Sequence, residues 1–453
     1  MRPTSSIIAS LALISALGIP VASVAGQDAA PPPRAQADTA PDVIKDMVTR
    51  LSLEKYKATI KGLTQFGDRR QGTDRNRQAV DWIEAQLKSY GCTPTERIKY
   101  EYAPGPQRGG GGRGTDTTGR GGAGRAGAAG AGGRAGTDST GRAGAARGAG
   151  GRGAGAGRGA SQVAQGGGRI RGMRTRTGVN SDSLKQPDLK LRALDSQPST
   201  PGEREEVFCT KVGTTHPNEM YIVGGHMDGI GWGEAANDDG SGTALVMELA
   251  RVFSSPDVET DRSIRFILWN NEETGTNGAR AYIAQRQPLQ GIENPAGSGK
   301  YPEPKWLGMI THDMMLFDHG APRPDSTMSP EQRPEADVNI EFAITSKASE
   351  GAQKLAWAFH AANEKYATDY PAQVGPHMSN TDSGPFQDLV ASISLRENER
   401  GTQVGAGWDP QWHQPTDLYA TYNDKDFLLG LNAAQTSLGA LGQLTGAKLK
   451  MKQ

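Results

Sequence analysis

Five stretches of this chain carry side chains suited to chemistry: His226-Met227-Asp228, Asn237-Asp238-Asp239-Gly240-Ser241-Gly242, Asn271-Glu272-Glu273-Thr274-Gly275, His312-Asp313 and Trp412-His413-Gln414-Pro415-Thr416-Asp417. From these, His226, Asp238, Glu273, Asp313 and His413 offer two imidazoles and three carboxylates, a mixture that borderline-soft divalent metals such as zinc favour. If all five converge, they suffice for two ions with one carboxylate shared between them. Paired ions of that kind lower the pKa of a water and hold a substrate carbonyl, which is the chemistry of hydrolysis. Each residue alone has a plainer reading: a hydrogen-bonding histidine after a strand, a helix cap at Asp238-Asp239, a solvated turn at Glu272-Glu273, a loop cap at Asp313, a surface histidine at His413. The set resists those readings, because burying so many carboxylates together without cations is costly. His216, His312, His319, His360 and His377 lack such company and read as structural or surface groups.

Residues so far apart need a scaffold that gathers them. Short apolar runs at Met220–Gly225, Ile264–Asn270, Leu307–Asp313 and Ser392–Glu397 predict buried strands. Between and around them, Val43–Leu63, Arg75–Tyr90, Ser241–Phe253, Gly278–Gln285, Glu350–Tyr366 and Lys425–Leu441 predict helices; in Arg75–Tyr90, Val80, Ile83 and Leu87 recur at helical spacing. The alternation predicts an α/β fold with a mostly parallel central sheet flanked by helices on both faces. Ligands bind such sheets beyond the carboxyl ends of the strands. Three of the five stretches follow a predicted strand directly or across a short loop, and a fourth, His312-Asp313, ends one.

The chain is 453 residues long with 50 basic and 50 acidic side chains, a balance that hides an uneven distribution. Residues 1–25 have a basic Arg2, an apolar run from Ile7 to Val21 and small residues before Gly26, the pattern of a removed signal peptide. The run is shorter than the ~20 residues of a membrane span, so no transmembrane segment is expected after cleavage, and the product is expected in a periplasm or outside the cell. Residues 26–40, with Pro31-Pro32-Pro33, form a flexible lead-in. Residues 104–185 are dominated by Gly, Ala and Arg, and too little apolar surface is present to offset ordering entropy. A disordered cationic insertion is expected there, between strands Ile98–Ala103 and Glu206–Val212 of an edge hairpin. It lacks the interleaved aromatics that stack bases, so no nucleic-acid partner is expected; a weak polyanion or cell-surface contact is the alternative to a passive loop. The catalytic domain is then 41–103 with 186–447. Cys92 and Cys209 are the only cysteines, and their number leaves a bridge open. Ala296-Gly297-Ser298-Gly299-Lys300 lacks the first Gly and the hydroxyl of a phosphate loop and is read as a plain loop.

In order along the chain, Gly224-Gly225-His226-Met227-Asp228, Ala236–Gly242, Asn271–Gly275, His312-Asp313-Met314 and His413–Asp417 resemble the motifs of metallopeptidase family 28 of clan MH, and Phe66-Gly67-Asp68-Arg69 resembles its early segment. The resemblance implies a single catalytic domain of zinc-exopeptidase architecture. It implies two Zn2+ ions on His226, Asp238, Glu273, Asp313 and His413, with Asp238 bridging and the Asp238–Asp239 peptide cis. It further implies Glu272 as general base for a metal-activated water and Asp228 as the residue orienting His226 through its second ring nitrogen. Asp417 would serve His413 or the local loop. One departure stands out: Asp382-Ser383-Gly384-Pro385-Phe386 has Ser where many members have His, which bears on substrate preference.

The implied substrate is a peptide, trimmed most simply by aminopeptidase action. Carboxypeptidase or dipeptidase action needs a basic pocket for a free carboxylate, for which Arg396 and Arg400 are candidates against a reading as surface arginines. A glutaminyl cyclase-like acyl transfer would use one zinc, and a non-catalytic binding module would be expected to lose Glu272 or ligands. The retained set argues against both.

Overall fold

Side-chain oxygens just ahead of the helices fix where each begins. Ser52, Thr73 and Asp239 accept the free amides of Lys55, Asn76 and Gly242, and Asn423 with Asp426 forms a reciprocal capping box. The computed structural model describes residues 42–103, 179–317, 338–367, 369–376, 381–397 and 409–450. Its helices are α1 (Val43–Val48), α2 (Leu53–Thr64), α3 (Asp74–Ser89), α4 (Leu189–Asp195), α5 (Gly240–Phe253), α6 (Asn277–Arg286), α7 (Ser349–Tyr366) and α8 (Asp424–Thr445). The single helix expected over Val43–Leu63 is therefore two. Ser52 breaks it by capping α2, while its own amide donates to Glu248 at 2.7 Å.

The strands are β1 (Thr95–Tyr102), β2 (Gly202–Lys211), β3 (His216–His226), β4 (Val258–Glu259), β5 (Arg262–Trp269), β6 (Lys305–His312), β7 (Val338–Phe342), β8 (Ala372–Gly375), β9 (Ser392–Arg396) and β10 (Lys448–Leu449). Eight form one sheet in the order β1-β2-β5-β3-β6-β9-β7-β8, and β4 pairs with β10. The centre, β5-β3-β6-β9, is parallel. β1 and β2 make the expected antiparallel edge, and β7 runs antiparallel to β9. The sheet is covered on both faces because its strands are apolar on both. In β5, Ile264, Phe266 and Leu268 enter one core cluster while Ile267 and Trp269 enter the other, the period-two alternation of a strand. The larger cluster gathers α2, α3, α5, α7 and α8, and the smaller takes Tyr282 of α6 with Trp306 and Phe386.

Cys92 and Cys209 are bridged, tying the turn after α3 to β2 across 117 residues of sequence. The expected signal peptide and lead-in lie outside the described residues, as do residues 104–178 of the expected insertion. From Val179 the chain is folded: Ser183–Lys185 form a short 3-10 turn, and the Asn180 amide donates to the His413 carbonyl at 3.0 Å. Residues 179–185 thus depart from the expectation of disorder, because their polar groups find partners on the catalytic domain. Among the described residues, no helix is long and apolar enough to cross a membrane.

Candidate metal centre

The parallel strands end together, and three of the predicted ligands leave from their carboxyl ends. His226 is the last residue of β3, Asp313 follows β6, and Glu273 stands in the turn between β5 and α6. Asp238 precedes α5, and His413 comes from the segment before α8. The structure brings all five together. Asp238 divides its carboxylate between the two imidazoles: Oδ1 lies 3.2 Å from Nε2 of His226, and Oδ2 lies 2.9 Å from Nε2 of His413. Asp313 approaches His226 Nε2 at 3.9 Å, and Glu273 approaches His413 Nε2 at 2.9 Å. Two three-residue clusters therefore share Asp238. His226, Asp238 and Glu273 each present a ligand atom within 4.8 Å of the others.

These groups fit divalent cations. All five side chains are at least nine-tenths buried. Glu273 Oε1 and His413 Nδ1 are enclosed without hydrogen-bond partners among the described residues. Burial opposes charge on His226, but Asp238 and Asp313 overcome it and hold the imidazole well above the usual histidine range. His413, opposed by burial in the same way, is raised to about 10 by Glu273 and Asp238. Burial pushes Glu273 up to about 7 despite the pull of His413, and Glu272 up to about 8 despite that of His226. The imidazoles of His226 and His413 thus hold protons on nitrogens that a divalent cation would displace on binding.

The neighbouring residues explain how the ligands hold their places. Asp239 caps α5, as the helix-cap reading of this pair allows, and also accepts the amides of His226 at 3.0 Å and Met314 at 3.1 Å. One buried carboxylate thereby joins the segments bearing His226, Asp238 and Asp313. The Asp238–Asp239 peptide is cis. Asp417 accepts the amides of Asn237 at 2.8 Å and Asp238 at 3.1 Å, so it serves this loop rather than the His413 ring. His413 adopts φ of 56°, a left-handed conformation uncommon for a side-chain-bearing residue. Backbone contacts from Asn180 help to retain it there.

Asp228 departs from its expected contact. His226 Nδ1 faces the Asp228 backbone carbonyl at 2.9 Å, whereas the carboxylate is 3.9 Å away. That carboxylate instead accepts the amide of Glu272 at 3.0 Å. Arg396 differs from both of its sequence readings. It is buried, it pairs with Asp313, and it approaches Glu341 at 3.8 Å, so it is neither a surface arginine nor the wall of an open pocket. Its place at the end of β9 was the available signal, since the same rule picked out the ligands. Arg400 lies outside the described residues. Ser383, at the position of the departure, shares a 2.6 Å hydrogen bond with Ser394.

Residues 206–428 match the model of peptidase family M28. The chain carries a peptidase family M28 domain. It is 33% identical over 114 residues to Aminopeptidase YwaD of Bacillus subtilis, covering 25% of this chain and 23% of the relative. It is 36% identical over 240 residues to Probable lipoprotein aminopeptidase LpqL of Mycobacterium tuberculosis, covering 51% and 43%. These matches span less than half the length of either relative. In fold, the chain resembles an aminopeptidase from Aneurinibacillus sp. strain AM-1 with a TM-score of 0.51 at 18% identity, covering 88% of this chain and 95% of that one. The mixed α/β sheet of the M28 domain agrees with the architecture anticipated from the strand pattern.

Proposed function

We propose that the protein is an exported zinc-dependent exopeptidase that hydrolyses short peptides, with aminopeptidase action as the first reading. The observation that carries it is the division of Asp238 between His226 and His413, with Asp313 and Glu273 completing the two sides. His226, Asp238 and Asp313 would hold one zinc ion, and Asp238, Glu273 and His413 the other. When bound, the ions supply Lewis acidity that makes a water more acidic and polarises the peptide carbonyl. Glu272 accepts the proton of the attacking water on its carboxylate and returns it to the nitrogen of the departing amine, which then leaves neutral. Asp228 holds Glu272 through its backbone amide, which fixes the base beside the ligand-bearing Glu273. Arg396 keeps Asp313 ionised and oriented.

Export is supported by the signal-like residues 1–25 and by the Cys92–Cys209 bridge, which persists in oxidising compartments such as a periplasm or the cell exterior. It is also supported by similarity to a protein named as a lipoprotein aminopeptidase. Dipeptidase or carboxypeptidase action is the second reading, favoured by a pocket that includes Thr274, the residue after Glu273, and has Arg70 in its wall. Incubation of the purified protein with a mixed peptide library, after chelation and again after zinc addition, tests the proposal. Mass spectrometry should show shortening from one end only with zinc, and full activity in the chelated, metal-free protein would refute the mechanism.

A further inference from the structure

The short segment before α3 holds a buried cation that the proposed mechanism does not use. Arg69 is wholly enclosed, and among the described residues its guanidinium faces backbone carbonyls rather than a carboxylate. Nε donates to the Met227 carbonyl at 2.7 Å, Nη1 to that of Glu234 at 2.8 Å and Nη2 to that of Ala235 at 2.7 Å. Nη1 also reaches the Gly67 carbonyl at 3.2 Å. Met227 follows His226 directly, and Glu234 and Ala235 lie just before Asp238. One planar group therefore grips both ends of the loop between two predicted ligands, His226 and Asp238, whose Nε2 and Oδ1 stand 3.2 Å apart.

Tying a loop does not by itself call for a charge. Burying a guanidinium is expensive, and a neutral amide would donate to a carbonyl more cheaply. Arginine adds a rigid fork with donors on two edges, so covalent geometry fixes how far apart the two ends of the loop can lie. The ligands feel this through short links. The next carbonyl after that of Met227, on Asp228, faces Nδ1 of His226 at 2.9 Å. The Ala235 carbonyl also accepts the amide of Gly240, at the start of α5, at 3.1 Å. In the middle of the loop, Gly233 packs closely on the segment bearing His413: a Cβ there would lie 2.7 Å from the Gln414 carbonyl oxygen. Arg69 is itself held in place. Its carbonyl accepts the side-chain amide of Asn76 at 2.7 Å, and Asn76 and Asn270 exchange side-chain hydrogen bonds at 3.0 and 2.9 Å. Asn270 leads into Glu272 and Glu273. Burial opposes the charge on Arg69, while the fields of Asp417, Asp68, Asp239 and Asp228 sustain it.

We propose that Arg69 is a positioning residue for the zinc centre: by spanning the loop from Met227 to Ala235 it holds His226 and Asp238 at the separation that one ion requires. It acts through backbone carbonyls and touches neither metal nor substrate. This rests on the metal reading of the five ligands and deepens it, assigning their preorganisation to a side chain far from them in sequence. Without the fork the loop ends are free to part, and binding an ion must first bring them back.

Zinc titrations against a competing chromophoric chelator, on wild type, Arg69→Gln and Arg69→Lys, test this without turnover. Arg69→Gln should weaken zinc binding by about 10–100-fold, the loss typical of removing a group that orients ligands. Arg69→Lys keeps the charge, but a single ammonium has no rigid fork, so it should recover only part of the affinity. Urea unfolding of the metal-free preparations finds conditions in which each variant is folded, so that weaker binding does not arise from a depleted native population. A merely structural role would lower the urea midpoint and leave the zinc affinity of the folded protein unchanged. Wild-type affinity in either folded variant would overturn the proposal, and Arg69→Lys decides it should Arg69→Gln not fold. Failure of the wild type to bind zinc would overturn the metal reading and this proposal together, whereas equal binding by wild type and variants overturns this proposal alone.

Discussion

The carboxylate of Asp228 accepts the backbone amide of Glu272 at 3.0 Å, while the carbonyl of the same aspartate faces His226. One residue thus contacts both the His226 imidazole, proposed to bind metal, and the segment carrying Glu272, proposed as the base, through different atoms.

That division separates two effects that a sequence motif would merge. Asp228→Ala keeps the carbonyl and loses the carboxylate. Its zinc affinity should change by less than the roughly 10–100-fold typical of losing a ligand's own partner, while kcat falls at least about tenfold. Zinc competition titrations and steady-state kinetics on the same preparation check this. A large loss of zinc with normal turnover per bound metal would reverse the assignment.

Glu272→Gln retains shape and removes the proton acceptor. It should lower kcat by roughly 10²–10⁴-fold with metal content nearly unchanged. Elemental analysis alongside peptide hydrolysis measures both, and wild-type turnover would remove Glu272 from its role.

Zinc binding should depend steeply on pH. Both imidazoles are held above their usual range in the protein alone, so they carry protons at neutral pH that must leave before nitrogen can bind metal. Affinity should therefore rise with pH, by about one to two log units per pH unit between pH 6 and 8, with protons released to buffer. Calorimetry in buffers of different ionisation enthalpy counts them. A flat affinity profile would contradict the ligand assignment.

The double variant Cys92→Ser, Cys209→Ser should lose about 2–5 kcal/mol of stability, because the bridge closes a long loop in the unfolded chain. Urea unfolding of oxidised wild type against the variant gives the difference.

Much of the site was legible because chemistry and position coincided. His226, Glu273 and Asp313 are polar residues at the ends of apolar strands, and few structural needs place acids there. The sequence motif also distinguished Asp238 from Asp239, although only coordinates reveal that Asp239 joins three segments while capping α5. Partners contributed by backbone atoms are invisible to residue type, which is why the Asp228 carbonyl went unrecognised. Arg396 was misread because arginine is usually exposed, and its pairing with Asp313 depends on β6 and β9 lying side by side. β7 and β8 were missed for a related reason. Val338–Phe342 and Ala372–Gly375 are too short to show a period and gain their strand character from pairing at the sheet edge. The two-helix start escaped notice because Ser52 fits a continuous helix as well as a cap until Glu248 is seen taking its amide.

Helix α5 turns almost no side to water: every residue from Gly240 to Phe253 except Arg251 is buried. The loop carrying Asp238 is therefore anchored to the part of the molecule least able to open by itself. Fraying at the periphery would leave Asp238 in place. The amides of this helix should accordingly exchange with solvent only as fast as the whole domain unfolds.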